Sequence, residues 1–217
     1  KSLNVFYYAC SYAKVDYSNF MNITARTALK LIPDPLKTHP VFLCVDDTMV
    51  SKSGKKFENV SKLFNHAAHN GSNYLNGHCF VSIMLCVPVL DHDKISYLSV
   101  PLGYGYRMWQ KKESKLELAA SMIRQGMPEF LSKEHVIILC DSWYTKKNLV
   151  SIIDEYPNLD LIGNARIDSV MYDLAPAQTG RRGRPAKHGK HLSVETDFTF
   201  SNEKIGDYYT GVRRVLA

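Results

Sequence analysis

The sequence predicts an α/β fold, and three features predict it. Two apolar runs rich in β-branched and large aliphatic residues, Val41 to Val45 and His135 to Cys140, are too short for buried helices, and each ends at an aspartate. Between them, His78 to Leu90 and Lys94 to Leu102 flank the short polar link DHD, which reads as a β-hairpin. A segment opening at Ser114 then carries Leu116, Ala119, Ala120, Ile123 and Met127 at helical spacing. At 217 residues the chain suits one sizeable domain with room for an appendage.

Taken in order, residues 2 to 31 read as helical, with Ser18 as a cap and IPDP, Ile32 to Pro35, as the stop. Val41 to Val45 is a buried strand. Residues 52 to 76 are polar and broken by Gly54 and Gly71, so they read as loop with a helical turn at Val60 to Ala68. After the hairpin, Ser114 and Glu117 form a capping box, and Gly126 and Pro128 end that helix. His135 to Cys140 is a second buried strand. Asp141 and Ser142 lead into a helix with Leu149, Ile152, Ile153 and Tyr156 on one face, closed by Pro157, and Leu159 to Asn164 is a further core strand. Beyond Asn164 come loop, a basic knot at 180–191 and two strand-like runs, LSVETDFTF and DYYTGVRRVLA. The domains expected are a helical lead-in over 1–40, a core over 41–163 and an appended segment over 164–217.

Apolar residues make up 45% of the chain, which supports a full core and excludes wholesale disorder. The net charge of +6 favours polyanionic partners. Five cysteines with no C-x-x-C pair argue for a reducing compartment. No signal peptide and no apolar run of membrane-spanning length is visible, so a cytoplasmic location is expected. The chain lacks a starting Met and stops in what reads as mid-strand, and is expected to be a piece of a longer protein.

Two aspartate-ended strands carry the chemistry. If they lie side by side and parallel, Asp46 and Asp141 meet at the edge of the sheet where ligands of open α/β sheets bind. Two such carboxylates repel each other, and a divalent cation relieves the repulsion. Hard oxygen donors favour Mg²⁺ or Mn²⁺, and two ions can clamp the oxygens of an in-line phosphoryl displacement. The bland alternative is that each aspartate caps the element after it. Strand alternation sends Asp46 and Asp47 to opposite faces, so only one can join Asp141, and spacing does not decide which.

A second constellation is GRRGRPAKHGK, with Arg181, Arg182, Arg184, Lys187 and Lys190 and no acid. Arginine interleaved with Gly and Pro matches minor-groove elements, and phosphate contact is expected. In KSGKK, Lys52, Lys55 and Lys56 lack the phosphate-loop framework but could reach a DNA backbone. His66, His69, His78 and Cys79 do not have a zinc spacing. The aromatics of GYGYRMW and DSWY could stack on bases, with core packing as the better default.

CVDDT on the first strand, the three-stranded run and helix, CDSWY after the fourth strand and RRGRPAKHGK together resemble the catalytic core of bacterial insertion-sequence DDE transposases, of the RNase H-like, retroviral-integrase superfamily. The resemblance covers nearly all of residues 41 to 217. It implies a mixed five-stranded sheet in the order 3-2-1-4-5 flanked by helices, with a β-rich insertion beginning near residue 164. It also implies Mg²⁺-dependent cleavage of DNA at transposon ends followed by strand transfer. DNA ends and target would be the partners, a homodimer the active assembly, and a nucleoid-associated cytoplasmic protein the setting. The first catalytic aspartate, from Asp-Xaa-Thr, falls on Asp46, with Asp47 the alternative, and the second falls on Asp141. The family's third acid, a glutamate on a later helix, is expected beyond Ala217, since Glu195 and Glu203 lack helical context. The 217-residue chain alone is therefore expected to bind metal weakly and to cut poorly. The rival readings are a domesticated, inactive DNA-binding protein and a nuclease of the same fold that cuts without joining.

Overall fold

A computed structural model describes residues 3–14, 16–54, 56–64, 73–110, 112–166, 168–177 and 183–216, which fall into two compact units, one ending at Asn164 and one beginning at Ala165. The first unit is built on a six-stranded mixed sheet. Its strands are β1 (Val41–Ser51), β2 (Ser61–Phe64), β3 (Tyr74–Asp91), β4 (Lys94–Met108), β5 (Val136–Cys140) and β6 (Leu159–Gly163). Strand β1 is central, parallel to β5 and antiparallel to β3. Strand β6 continues parallel beyond β5, and β4 and β2 both pair antiparallel with β3. Leaving β2 aside, the order β4-β3-β1-β5-β6 is the expected 3-2-1-4-5, and the fold is RNase H-like.

Two-residue periodicity decides which face is buried. Leu43 and Val45 of β1 stand opposite Leu85 and Ile83 of β3, and these four are buried with Val41 and Val87. Val136 and Ile138 continue that face across β5. Leu118, Ala119, Met122, Ile123 and Met127 of α3 (Lys115–Phe130) complete the same cluster. Each fully buried aliphatic side chain in it contributes about 1.5–3 kcal/mol of burial free energy. The other face carries Phe42, Cys44 and Ile137, which stay half-exposed. The β3–β4 hairpin closes on Asp91 opposite Lys94, with His92 and Asp93 at φ 47° and 62°, the backbone of a type I′ turn.

Several elements differ from the sequence reading. The N-terminal helix is two helices, α1 (Leu3–Tyr12) and α2 (Tyr17–Lys30). Asp16 rather than Ser18 caps the second, its side chain accepting from the Asn19 amide at 2.9 Å. Strand β1 does not end at its aspartates but runs six residues past Val45, because β3 goes on pairing with it to Ser51. The turn expected at 60–68 is strand at Ser61–Phe64, where pairing with Tyr74–Gly77 overrides a weak local preference, and residues 65–72 lie outside the described residues.

Helix α3 has its capping box, yet it continues through Gly126 and Pro128 to Phe130. Leu131, buried, closes it by donating its N–H to the Met127 carbonyl, and Pro128 removes the one hydrogen bond that the Arg124 carbonyl would otherwise accept. The helix expected after Asp141 is a turn, the short α4 (Lys147–Val150) and a 3-10 turn (Ser151–Glu155), which still bury Leu149 and Ile152.

The second unit has sparse regular structure. It holds the ladders of β7 (Met171–Tyr172) with β8 (His191–Leu192) and of β9 (Lys204–Ile205) with β10 (Tyr208–Tyr209). The run LSVETDFTF is not a strand, since it contains α5 (Val194–Asp197), which carries Glu195. The run DYYTGVRRVLA forms β10 and an isolated bridge from Leu216 to Tyr172. Tyr172 stacks on His188 at 3.9 Å, and Arg213 pairs with Asp173 at 2.9 Å, so ring and charge contacts hold a unit with little apolar core.

Candidate active site

The parallel β1–β5 ladder ends at the pair Val45 and Cys140. Asp46 and Asp141 are the next residue on each strand, so adjacent strands deliver them to one edge of the sheet. Asp46 lies opposite Ser82 of β3, whose hydroxyl donates to the Asp46 carbonyl at 3.2 Å. The strand that buries Val45 turns Asp46 to the opposite face, where it is exposed. Its Oδ1 accepts from the Asp47 amide at 2.7 Å. Asp141 is exposed too, and its Oδ1 accepts from the amides of Trp143 at 3.0 Å and Tyr144 at 3.3 Å. The capping role and an outward-facing carboxylate therefore coexist in Asp141, since each interaction uses only one oxygen.

Asp47 has a different environment. It points to the core face, 16% exposed, and its Oδ2 takes the Lys115 ammonium at 2.7 Å. Tyr144, buried, donates its hydroxyl to Oδ1 at 3.2 Å, and the Cys79 thiol lies 3.3 Å from Oδ2. Burial pulls the Lys115 pKa down, but the hydrogen bond and charge of Asp47 outweigh it and leave Lys115 above its ordinary value. Burial, reinforced by the Asp47 charge, raises Tyr144 strongly. Cys79 is pushed up to about 11, chiefly by burial. Sequence reasoning did not pick out Lys115, and weighed Cys79 only as a zinc ligand and Tyr144 only as a stacking aromatic, because contacts made 68, 32 and 97 residues away leave no local spacing to read.

Among the described residues neither Asp46 nor Asp141 has a basic partner, and no third His, Cys, Asp or Glu joins them in a metal-holding group. Asp46 and Asp141 each keep one carboxylate oxygen outside these hydrogen bonds, and hard oxygen donors of this kind suit a divalent cation. Beside them opens a cavity of about 460 Å³ whose walls include Asp47, Asp141, Lys115, Trp109 and Trp143.

The expected DNA-contacting residues are not all alike. Arg184 and Lys187 are exposed on irregular backbone. Lys56 is exposed, while Lys52 lies over the Phe57 ring at 5.6 Å. Lys190 is ion-paired with Asp197, so its charge is engaged inside the second unit. Arg181, Arg182 and Lys55 lie outside the described residues, as do His66 and His69. The Lys190 hydrogen bond, with help from the Ser193 amide, lowers Asp197 to about 2. A depressed carboxylate stabilises the fold above its ordinary value of 3.8, and that stabilisation is lost as the pH falls through about 2. A carboxyl chemical-shift titration should place the Asp197 midpoint near 2, and Lys190→Met should return it towards 3.8.

A family model described as DDE superfamily endonuclease matches residues 11–208. Among solved structures, the Mos1 strand transfer complex matches at 10% identity and a TM-score of 0.30, covering 76% of this chain and 50% of that one. The chain thus spans about half the length of that protein. No curated protein matches the sequence. Among the described residues, no helix is long and apolar enough to cross a membrane.

Proposed function

The chain belongs to the DDE superfamily of endonucleases, and from that premise we propose that it is the catalytic domain of a DNA transposase that cuts transposon ends and transfers the freed 3′-hydroxyl to target DNA. The observation that supports this most is the register of β1 against β5, in which Asp46 and Asp141 each follow the last paired residue. Asp46 and Asp141 would hold the metal, Mg²⁺ or Mn²⁺, with two ions in the complete site, and it would supply charge stabilisation at the phosphodiester and an activated water or 3′-hydroxyl.

The protein's own contribution is positioning. Backbone amides fix one oxygen of Asp46 and one of Asp141, which orients the other oxygen of each without consuming it. Asp47 lines the same cavity as Asp141, but Lys115 and Tyr144 engage both of its oxygens, which leaves it less available to an ion than Asp46. Arg184, Lys187, Lys52 and Lys56, with Arg181, Arg182 and Lys55, hold the DNA backbone through phosphate contacts that carry no sequence information. Lys190 contributes less than its neighbours, being paired. A homodimer that brings two ends together, working at the bacterial nucleoid, completes the reading.

The test is an assay of cutting and joining by the full reading frame that carries this chain, on DNA bearing the element's inverted ends. Cutting and joining that both vanish with chelator and return with Mg²⁺ or Mn²⁺ are expected. Cutting without joining would reassign the domain to a nuclease. DNA binding with no cutting under either metal would make it a DNA-binding relic.

A further inference from the structure

The β1–β5 ladder brings the backbones of Asp46 and Asp141 side by side, but a ladder does not fix the spacing of the side chains beyond its last pair. A run of hydrogen bonds joins the two carboxylates there. Oδ1 of Asp46 accepts from the Asp47 amide at 2.7 Å, and Oδ1 of Asp47 accepts from the Tyr144 hydroxyl at 3.2 Å. The Tyr144 amide in turn donates to Oδ1 of Asp141 at 3.3 Å. Each aspartate at the edge is thus held by the amide of a residue whose side chain reaches across to the other strand end.

The two outer links are local, and the middle one is not: it spans 97 residues of sequence. Tyr144 is 1% exposed and its ring packs in the core cluster, a place that Phe would fill as well. What Phe lacks is the hydroxyl, and a buried hydroxyl costs free energy unless it is hydrogen-bonded. Asp47, its acceptor, is anchored independently. Its Oδ2 takes the ammonium of Lys115, the first residue of α3, at 2.7 Å, and the thiol of Cys79 on β3 lies 3.3 Å away. Asp47 is therefore a fixed post on β1, and Tyr144 ties the turn after β5 to it.

We propose that Tyr144 is a positioning residue for the metal site, setting the spacing of Asp46 and Asp141 through Asp47 on one side and its own amide on the other. The proposal rests on the reading of Asp46 and Asp141 as the metal ligands and adds the residue that holds them in register. Spacing matters most for a small cation. Mg²⁺ demands near-ideal octahedral geometry, whereas Ca²⁺ accepts longer and looser coordination, so a clamp on the carboxylates favours the first over the second.

The experiment measures ion binding by the full reading frame without DNA, apart from any cutting. Mn²⁺ is followed by the electron paramagnetic resonance of the free ion, and Mg²⁺ and Ca²⁺ by their displacement of it. Wild type is compared with Tyr144→Phe, Asp47→Ala, the double variant and Asp46→Asn, all checked by urea unfolding. Tyr144→Phe should weaken Mn²⁺ and Mg²⁺ by about 10-fold, as loss of a hydrogen-bonding partner behind a metal ligand does, and Ca²⁺ by less. In the Asp47→Ala background it should cost no further affinity, since the bond is already gone. Cutting by Tyr144→Phe should need about 10-fold more Mg²⁺ for its half-maximal rate.

A lower urea midpoint with unchanged ion binding would make the hydroxyl structural and overturn the clamp. So would equal weakening of Mg²⁺ and Ca²⁺, or the same loss with and without Asp47. Should Asp47→Ala fail to fold, the contrast between Mg²⁺ and Ca²⁺ in Tyr144→Phe decides alone. Asp46→Asn separates the two levels. If it abolishes ion binding while Tyr144→Phe does not alter it, only the clamp fails, and if neither alters it, the metal site itself fails.

Discussion

Asp46→Asn is expected to abolish metal-dependent cutting without moving the melting temperature, while Asp47→Asn is expected to lower stability. The two residues are chain neighbours of identical chemistry, so the contrast isolates environment. Asp46 is exposed and, among the described residues, its carboxylate bonds only to the next amide, so the amide of Asn can replace most of what it does for the fold. It cannot replace an anionic metal ligand. Loss of the several kcal/mol that a bound cation gives the transition state corresponds to at least about 10³-fold in rate. Asp141→Asn should behave the same way, because Asn still accepts from the Trp143 and Tyr144 amides.

Asp47→Asn leaves the Lys115 ammonium, 21% exposed, without its counter-charge. Breaking one side of a buried pair costs about 3–5 kcal/mol, and the remaining exposure of this pair brings the expectation to about 2–3 kcal/mol. Removing both charges in Asp47→Asn with Lys115→Met should recover part of that loss. Urea unfolding and single-turnover cutting on the same four proteins check the pattern. If Asp47→Asn cuts no DNA and unfolds like wild type, the metal ligand is Asp47 and the roles are reversed.

The divergence of these neighbours was half legible in the sequence. Alternation along a strand requires opposite faces, but the side that receives the core is set by α3 and Tyr144, which are remote in the chain. The order of the main strands was legible because each has a strong apolar pattern and clear punctuation. The length of β1 was not, since residues 46–51 open on two aspartates, which disfavour strand, and pairing with β3 carries the strand on past them. Strand β2 went unread because pairing with β3 overrides its weak local preference. The 164–217 segment read as strands from its β-branched and aromatic content, yet short ladders and ion pairs organise it instead. The cavity was invisible because its tryptophans, 34 positions apart, come from the end of β4 and the turn after β5.

Gly77→Ala should be the most damaging small substitution in the sheet, and the consequence should reach the catalytic edge. Gly77 is the point where three strands meet, paired with Ser51 of β1 on one side and Ser61 of β2 on the other. A Cβ there would lie 2.2 Å from the Val50 carbonyl oxygen and 2.9 Å from a methyl of Leu75. The methyl can turn away but the carbonyl cannot, being part of the adjoining strand's backbone. The strands must therefore separate locally, at about 2–3 kcal/mol for an overpacking defect of this kind.

Beyond Val45 strand β1 has lost its β5 neighbour and is held in the sheet by β3 alone, so separation at Gly77 loosens the segment that begins with Asp46. A displacement of about 1 Å at a positioned group can cost 10²-fold in rate. Gly77→Ala is accordingly expected to lower the urea midpoint, to speed amide exchange over residues 48–51, and to slow cutting by about 10²-fold although Gly77 touches no reacting atom. Normal exchange with slow cutting would break the link between ladder and site. Faster exchange with normal cutting would show that Asp46 is held by something other than the end of its strand.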